Sequence, residues 1–388
     1  MTSRPVYLDY HATTPVDPRV LEAMLPYFTE EFGNPASRQH AYGWKAEEAV
    51  ENARAQIAAL IGATPREIVF TSGATESNNL ALKGCADALR VKGDHIVTVA
   101  TEHKSVLDSC KRLEAQGWRV TRLGVNRDGF VDLDALQDAL SAKTVLVSVM
   151  TANNEIGVLQ PMAEIGRIVH AAGALLHTDA AQAAGKVPVD VNEFGVDLLS
   201  LTGHKYYGPK GQGALYVRRR KPKIQLGCQI DGGGHENGLR SGTLNVPGIV
   251  GLGQAAEICA REMGEEGARL AVLRDRLLAG LRANLDGVRV NGSLTYRLPH
   301  NLHVSFDGVD GEGLLMALGD LAVSTGSACS SGSQAPSHVL QAIGAVGDGE
   351  GAVVRFGLGR GTTEPHIQFA IDRLTTVVIS LRRSAVAH

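Results

Sequence analysis

Several apolar runs in this chain end on a side chain that can react, ionise or donate a hydrogen bond. In Ser200-Leu201-Thr202-Gly203-His204-Lys205 a lysine follows the run DLLSL and precedes the turn Tyr207-Gly208-Pro209-Lys210-Gly211. An amine at the carboxyl end of a strand borders the crevice where open parallel sheets bind ligands, and there it can form a Schiff base with an aldehyde cofactor. The plain alternative is a solvated surface lysine. The run Ala174-Leu175-Leu176-His177-Thr178-Asp179 ends on a carboxylate, with Gln182 in the next turn. A buried carboxylate at that place favours the proton on a pyridine-type ring nitrogen, which makes the ring a better electron sink. The alternative for Asp179 is an N-cap.

A phosphate site is offered by Thr71-Ser72-Gly73-Ala74-Thr75-Glu76-Ser77, which joins the run EIVF to a helical pattern. Glycine lets a ligand approach the backbone, and a helix N-terminus presents free N–H groups. The hydroxyls of Thr75 and Thr202, with His204, add donors. His103, in TEHKS after HIVTVA, stands where an imidazole can stack on a ring and shuttle protons near neutrality. Asn154, in MTANNE after TVLVSVM, offers a hydrogen bond to cofactor or substrate, unless the segment is an Asx turn. Cys329 sits in the small-residue stretch STGSACSSGS, where a thiol of ordinary pKa, about 8.5, is partly ionised and able to attack sulfur. Arg355, in VRFG, supplies a fork that binds a carboxylate with two parallel hydrogen bonds, or else forms a surface ion pair.

Positioning these groups requires an alternating α/β chain. EIVF, HIVTVA, VTRLGV, TVLVSVM, ALLHTD, DLLSL and GALYV predict seven strands of a mostly parallel sheet. Between them, segments such as 46–60 and 103–115 space apolar residues three and four apart and predict covering helices. A long helix is expected over about 253–285, leading to a smaller α/β unit built from VRVNG, NLHVSF, VVRFGLG and the helical patterns among them. The expected division is an N-terminal segment 1–15 packing with the small domain, a large cofactor-binding domain 16–258, and a small domain 259–388 carrying the Cys329 loop.

With 388 residues and 44% hydrophobic content, the chain can bury a substantial core. A net charge of −3, from 38 basic and 41 acidic residues, makes no case for nucleic acid as a direct partner. The basic run Arg218-Arg219-Arg220-Lys221 reads as a solvated turn. No apolar run is long enough to cross a bilayer and the N-terminus has no leader pattern, so the expectation is a cytoplasmic enzyme without membrane contact. Five scattered cysteines, with no C-x-x-C pair, suggest neither a disulfide framework nor a structural zinc site; Cys85, Cys110 and Cys259 read as core residues.

In order along the chain, LDYHATTP, GNPASRQHAYG, TSGATESNN, TEHKSVLD, NNEIG, HTDAAQAAGKVP, GHKYYGPKGQGALY, GGGHENGLRSGT, STGSACSSGS and VRFGLGR resemble the group I cysteine desulfurases. These belong to the class V, fold-type I aminotransferase superfamily, and the resemblance spans nearly the whole chain. It implies pyridoxal 5'-phosphate as cofactor, L-cysteine as substrate and a homodimer. Lys205 would hold the cofactor, Asp179 its ring nitrogen and Gln182 its ring hydroxyl, with His103 stacked on the ring. Ala74, Thr75, Thr202, His204 and, from the other subunit, Thr243 would hold the phosphate, and Asn154 and Arg355 the substrate carboxylate. Cys329 would carry the sulfur as a persulfide to an iron-sulfur scaffold or another acceptor, for cluster assembly or for tRNA and cofactor thiolation. No metal is implied beyond Cys329 as a transient cluster ligand. His11 and Thr202 depart from the usual pattern, and the chain stops at Arg382–His388 where housekeeping members carry a longer tail, which leaves the acceptor open between a housekeeping role and a specialised or accessory one.

Overall fold

The computed structural model describes residues 4–219, 223–325, 337–345 and 351–386. Its strands, in chain order, are β1 (Val6–Tyr7), β2 (Ile68–Thr71), β3 (His95–Val99), β4 (Arg119–Leu123), β5 (Thr144–Ser148), β6 (Leu175–Asp179), β7 (Leu198–Thr202), β8 (Gly213–Val217), β9 (Val288–Val290), β10 (Asn301–Phe306), β11 (Leu321–Ala322) and β12 (Ala352–Gly357). The seven runs picked out by hydrophobicity are the seven strands of one sheet, in the order β2-β8-β7-β6-β5-β3-β4. Only β8 opposes its neighbours; the remaining pairings are parallel. A parallel sheet covered on both faces needs strands that are apolar on both faces. β3, β5, β7 and β8 are accordingly buried throughout, while β4 at the edge keeps only Leu123 buried.

Successive side chains of β7 show how the faces are shared. Leu199 and Leu201 join a core with Ile57 and Ala53 of the helix Ala41–Leu60, whereas Leu198 joins the opposite core with Leu80 and Cys85 of the helix Ala74–Leu89. Cys85, Cys110 and Cys259 are core residues, as expected, and burial pushes the Cys110 thiol up to about 12. A second sheet, β12-β10-β9, is antiparallel, and its core includes Leu270, Leu277, Phe306, Phe356 and Leu374. β1 pairs in parallel with β11, so the chain start is laid against the second half.

One helix, Val246–Asn284, reaches both cores: Ile249 and Leu252 pack with the large sheet and Leu270 and Leu277 with the small one. Its 39 residues span about 58 Å. It begins well before the expected start near Gly253 because Pro247 lies in the first turn, where the missing N–H costs nothing, and Asn245 caps the end by accepting from Gly248 N. The basic run after β8 also differs from expectation. Arg218 pairs with the buried Asp197 at 2.5 Å, while Arg220 and Lys221 lie outside the described residues. Among the described residues no helix is long and apolar enough to cross a membrane.

The glycine-rich segment ahead of that helix is pinned to the sheet by one buried ion pair. Arg54 donates to both oxygens of Glu236, at 2.8 and 2.9 Å, and Glu236 also accepts from Phe70 N of β2 at 2.8 Å. These bonds hold Glu236 at φ 49°, a left-handed conformation that side-chain-bearing residues disfavour. Removing the charge leaves the Arg54 guanidinium with the exposed Glu51, 3.0 Å from its Nε, as its remaining counter-ion. Glu236→Gln should lose about 3 kcal/mol of stability in urea unfolding; a loss below about 1 kcal/mol would show that the pair is not what anchors the segment.

Candidate active site

Because β3, β5, β6 and β7 run parallel and β2 shares their direction, their carboxyl ends meet on one rim. Every sequence-predicted strand-end residue described in the structure lies there. The turn after β2 passes through Gly73, at φ 149°, which caps the helix Ala74–Leu89 without offering a side chain to its free N–H groups. A Cβ on Gly213 would come within 2.5 Å of the Gly73 Cα, so the close passage of β8 beneath this turn requires glycine. Ala74 is half-buried and Thr75 exposed beside the open helix end. Thr202 is buried, its hydroxyl donating to the Gln212 carbonyl at 3.2 Å. His204 bonds Thr13 Oγ at 3.2 Å, and burial beside Lys205 and Lys210 lowers its pKa to about 4, leaving it neutral.

Asp179 caps no helix, because a turn follows it; its carboxylate is buried. Its Oδ1 accepts from Ala181 N at 2.9 Å, a local turn bond, while its Oδ2 accepts from Asn78 Nδ2 at 2.7 Å inside the protein. The same Asn78 nitrogen donates to Ser105 Oγ at 2.8 Å, and Ser105 Oγ lies 2.8 Å from His103 Nδ1. His103 caps the helix Lys104–Glu114. Next to it, Glu102 is fully buried, accepting from Met150 N at 2.5 Å; burial and the nearby Asp179 charge drive its pKa well above the carboxylate range.

Lys205 is half-buried, and its ammonium donates to the carbonyls of His11 and Ala12 at 2.5 and 2.8 Å. The His11 carbonyl also accepts from Gln182 Nε2 at 3.1 Å, which turns Gln182 Oε1 toward His11 Nδ1 at 3.0 Å and makes that nitrogen the proton-bearing one. His11 Nε2 then accepts from Asn301 Nδ2 at 3.0 Å, and the ring stacks on His300 at 4.5 Å. The departure from the family pattern at His11 is therefore buried machinery around Gln182.

The Asx turn in MTANNE belongs to Asn153, whose Oδ1 accepts from Glu155 N and Ile156 N, each at 2.9 Å. Asn154 keeps its amide: among the described residues that amide has no hydrogen-bond partner. Its carbonyl accepts from Arg355 Nη1 at 2.7 Å, and Arg355 Nη2 pairs with Asp9 at 2.9 Å. With Arg355 only 2% exposed, this is a buried pair at the rim and not a surface one. Thr243 is exposed on the segment before the long helix.

Cys329 lies outside the described residues, but both flanks of its segment are tied to the same rim. Ser324 Oγ donates to Asp9 at 3.2 Å and its carbonyl accepts from Arg355 N at 2.6 Å. On the other side, Ser337 Oγ donates to Glu155 at 2.5 Å and His338 Nε2 donates to the Glu102 carbonyl at 3.0 Å. Asp9, Asn78, Glu102, Ser105, Glu155 and Asn301 are the members that sequence reasoning missed. Glu102, Ser105 and Glu155 lie within two residues of a strand-end residue already singled out and Asn78 one helical turn from Thr75, yet a sequence names no partner for them. Among the described residues no cluster of His, Cys, Asp and Glu could hold a metal ion.

Five imidazoles are held neutral by burial. His177 and His303 are lowered to about 3, His204 to about 4, and His11 and His300 well below the ordinary value. Unfolded histidines take up protons as pH falls through about 6.5, so below that pH the unfolded chain binds more protons and stability falls. Burial lowers His95 as well, so Glu102 and Glu155, raised in the fold, act in the opposite direction as two groups against six. The urea unfolding midpoint should drop between pH 6.5 and pH 5, each imidazole contributing up to about 1.4 kcal/mol per pH unit; a midpoint that rises over this interval contradicts the neutral assignments.

The class-V aminotransferase family model matches residues 6–369. The cysteine desulfurase IscS of Anaeromyxobacter sp. (strain K) is 58% identical over 378 residues, 97% of this chain and 93% of its own. That of Methylococcus capsulatus is 56% identical, again over 97% of this chain and 93% of its own. Among solved structures, a NifS-like protein superposes with a TM-score of 0.90 at 38% identity, covering 97% of this chain and 100% of its own. With a strand-end lysine, carboxylate and imidazole on one rim of a mostly parallel sheet, the chain belongs to the class-V aminotransferase family, among its pyridoxal-phosphate-dependent cysteine desulfurases.

Proposed function

We propose that this chain takes sulfur from L-cysteine, forming L-alanine and a persulfide on Cys329 that is passed to an acceptor for iron-sulfur cluster assembly or for tRNA or cofactor thiolation. The observation that carries the reading is the meeting of Lys205, Asp179, His103 and a helix N-terminus without a side-chain cap on one rim. Pyridoxal phosphate fits that set. It needs an amine for its aldehyde, a carboxylate for its ring nitrogen and an anion site for its phosphate, and a glycine-capped helix with free N–H groups supplies the last. Bound there, the cofactor supplies an electron sink for negative charge developing on the substrate.

In this reading Lys205 holds the cofactor, Asp179 its ring nitrogen and Gln182 its ring hydroxyl, and His103 covers the ring. Ala74, Thr75, Thr202, His204 and the partner subunit's Thr243 hold the phosphate. To donate there, the Thr202 hydroxyl must leave the Gln212 carbonyl. Asn154 and Arg355 orient the substrate carboxylate, the guanidinium being kept in place by Asp9 and the Asn154 carbonyl. The Lys205 amine, released from the cofactor by the incoming cysteine, moves the proton from the substrate α-carbon. The Cys329 thiolate attacks the substrate sulfur; the S–S bond forms as the S–Cβ bond breaks, and the electron pair goes to carbon, where protonation yields alanine. Three of the four described thiols are buried in cores and unsuited to this attack, and both flanks of the Cys329 segment are fastened to the rim.

A homodimer is part of the reading. Phe28, Phe32, Tyr42 and Trp44 are all more than half exposed, an apolar surface of the kind that partners cover. The reading also includes the cytoplasmic location and the division into 1–15, 16–258 and 259–388. The separate cores of the large and small sheets support that division, although the helix Val246–Asn284 runs through both and a small cluster packs Ile156 and Val158 against Val339, Leu340 and Ile343.

Two substitutions test the assignment. Lys205→Ala should yield protein without the visible band that borohydride reduces in the wild type; retention of a reducible band would remove Lys205 from its role. Cys329→Ala should keep the band while alanine formation from cysteine falls at least about a hundredfold, roughly 3 kcal/mol in barrier. Undiminished sulfide release from that variant would mean direct C–S cleavage without a persulfide on Cys329.

A further inference from the structure

Asn78 and Ser105 belong to no role assigned above, yet they connect two that do. Asn78 is fully buried on the helix Ala74–Leu89, and its Nδ2 reaches Asp179 Oδ2 at 2.7 Å and Ser105 Oγ at 2.8 Å. The amide cannot be turned round, since its oxygen would then face the Asp179 carboxylate. Both N–H bonds are therefore spent, one on each partner. Ser105 Oγ, accepting from Asn78, has its own hydrogen left for His103 Nδ1 at 2.8 Å. The Ser105 backbone N–H also points at Nδ1, at 3.1 Å, and a peptide N–H can only donate. Nδ1 is thus an acceptor twice over, and a neutral imidazole in that position carries its proton on Nε2.

We infer that Asn78 and Ser105 are positioning residues that couple the Asp179 carboxylate to His103 and hold His103 as the Nε2–H tautomer. The inference rests on the reading of Asp179 and His103 as cofactor contacts. The direction of every hydrogen bond in the chain follows from the Asp179 charge at one end and the Ser105 peptide at the other. His103 Nε2 is consequently a hydrogen-bond donor and not a basic lone pair. The chain ties the ring orientation of His103, on the turn after β3, to the carboxylate at the end of β6.

The test uses the holoenzyme. Solid-state NMR of protein labelled with 15N-histidine, with His103 assigned by its loss in His103→Gln, should show Nδ1 unprotonated and Nε2 protonated. A protonated Nδ1 overturns the inference. Ser105→Ala, which keeps the peptide donor and loses the hydroxyl, should lower kcat for cysteine about tenfold with KM nearly unchanged and shift the His103 nitrogen signals. Ser105→Thr, which restores the hydroxyl, should recover kcat to within about twofold of wild type and restore the signals. If Ser105→Ala leaves both kcat and the signals where wild type has them, or if Ser105→Thr folds with full cofactor yet recovers neither, the coupling does not exist. Because wild type and variants are compared with the visible cofactor band intact, failure of the coupling is separable from failure of the cofactor reading, which would remove the band from wild type itself.

Discussion

A half-buried ammonium must have acceptors, and in this protein the chain start supplies them. The carbonyls of His11 and Ala12 close on Lys205 Nζ. That contact draws the segment from Asp9 to Thr14 across the rim of the large sheet, and much else follows from its path. Asp9 meets Arg355, His11 meets Gln182 and Asn301, Thr13 meets His204, and Thr14 Oγ accepts from Tyr207 N. β1 continues the same segment into its pairing with β11, so one strip of backbone joins the lysine turn to the second half of the chain.

The rim carries an unusual load of buried polar groups, and most are satisfied in pairs that fix one another's direction. Gln182 can bond the His11 carbonyl only through its nitrogen, which settles the His11 tautomer; Asn78 can face Asp179 only through its nitrogen, which settles the order of donors toward His103. Such groups are tolerable in a low-dielectric crevice because few of them are charged. Burial holds five imidazoles neutral and pushes the Glu102 carboxyl up, while Asp9 and Arg355 offset each other as a pair.

Much of the fold was legible because a covered parallel sheet demands apolar runs, which the inner strands show throughout and the edge strand β4 only in part. The helix Val246–Asn284 was read short at its start, since Pro247 looks like a boundary in a sequence and is a normal first-turn residue in a structure. The strand-end residues Lys205, Asp179, His103 and Asn154 were legible because each follows such a run. Asn78, Ser105 and Asn301 were not, because a buried amide or hydroxyl has meaning only through the group it faces. Asn78 lies 101 residues from Asp179, and Asn301 lies 290 from His11.

By itself, then, the sequence determines the element types, the family and the chemistry available at the strand ends, since these depend on local periodicity and on which side chains follow it. Tertiary structure decides how that chemistry is poised. It places Arg355 in a buried pair with Asp9, gives the Asx turn to Asn153 so that Asn154 keeps its amide, and makes His11 a hidden support of Gln182. The physical reason is that a side chain's charge, tautomer and free donors are set by desolvation and by partners, and both arise only when distant segments are packed together.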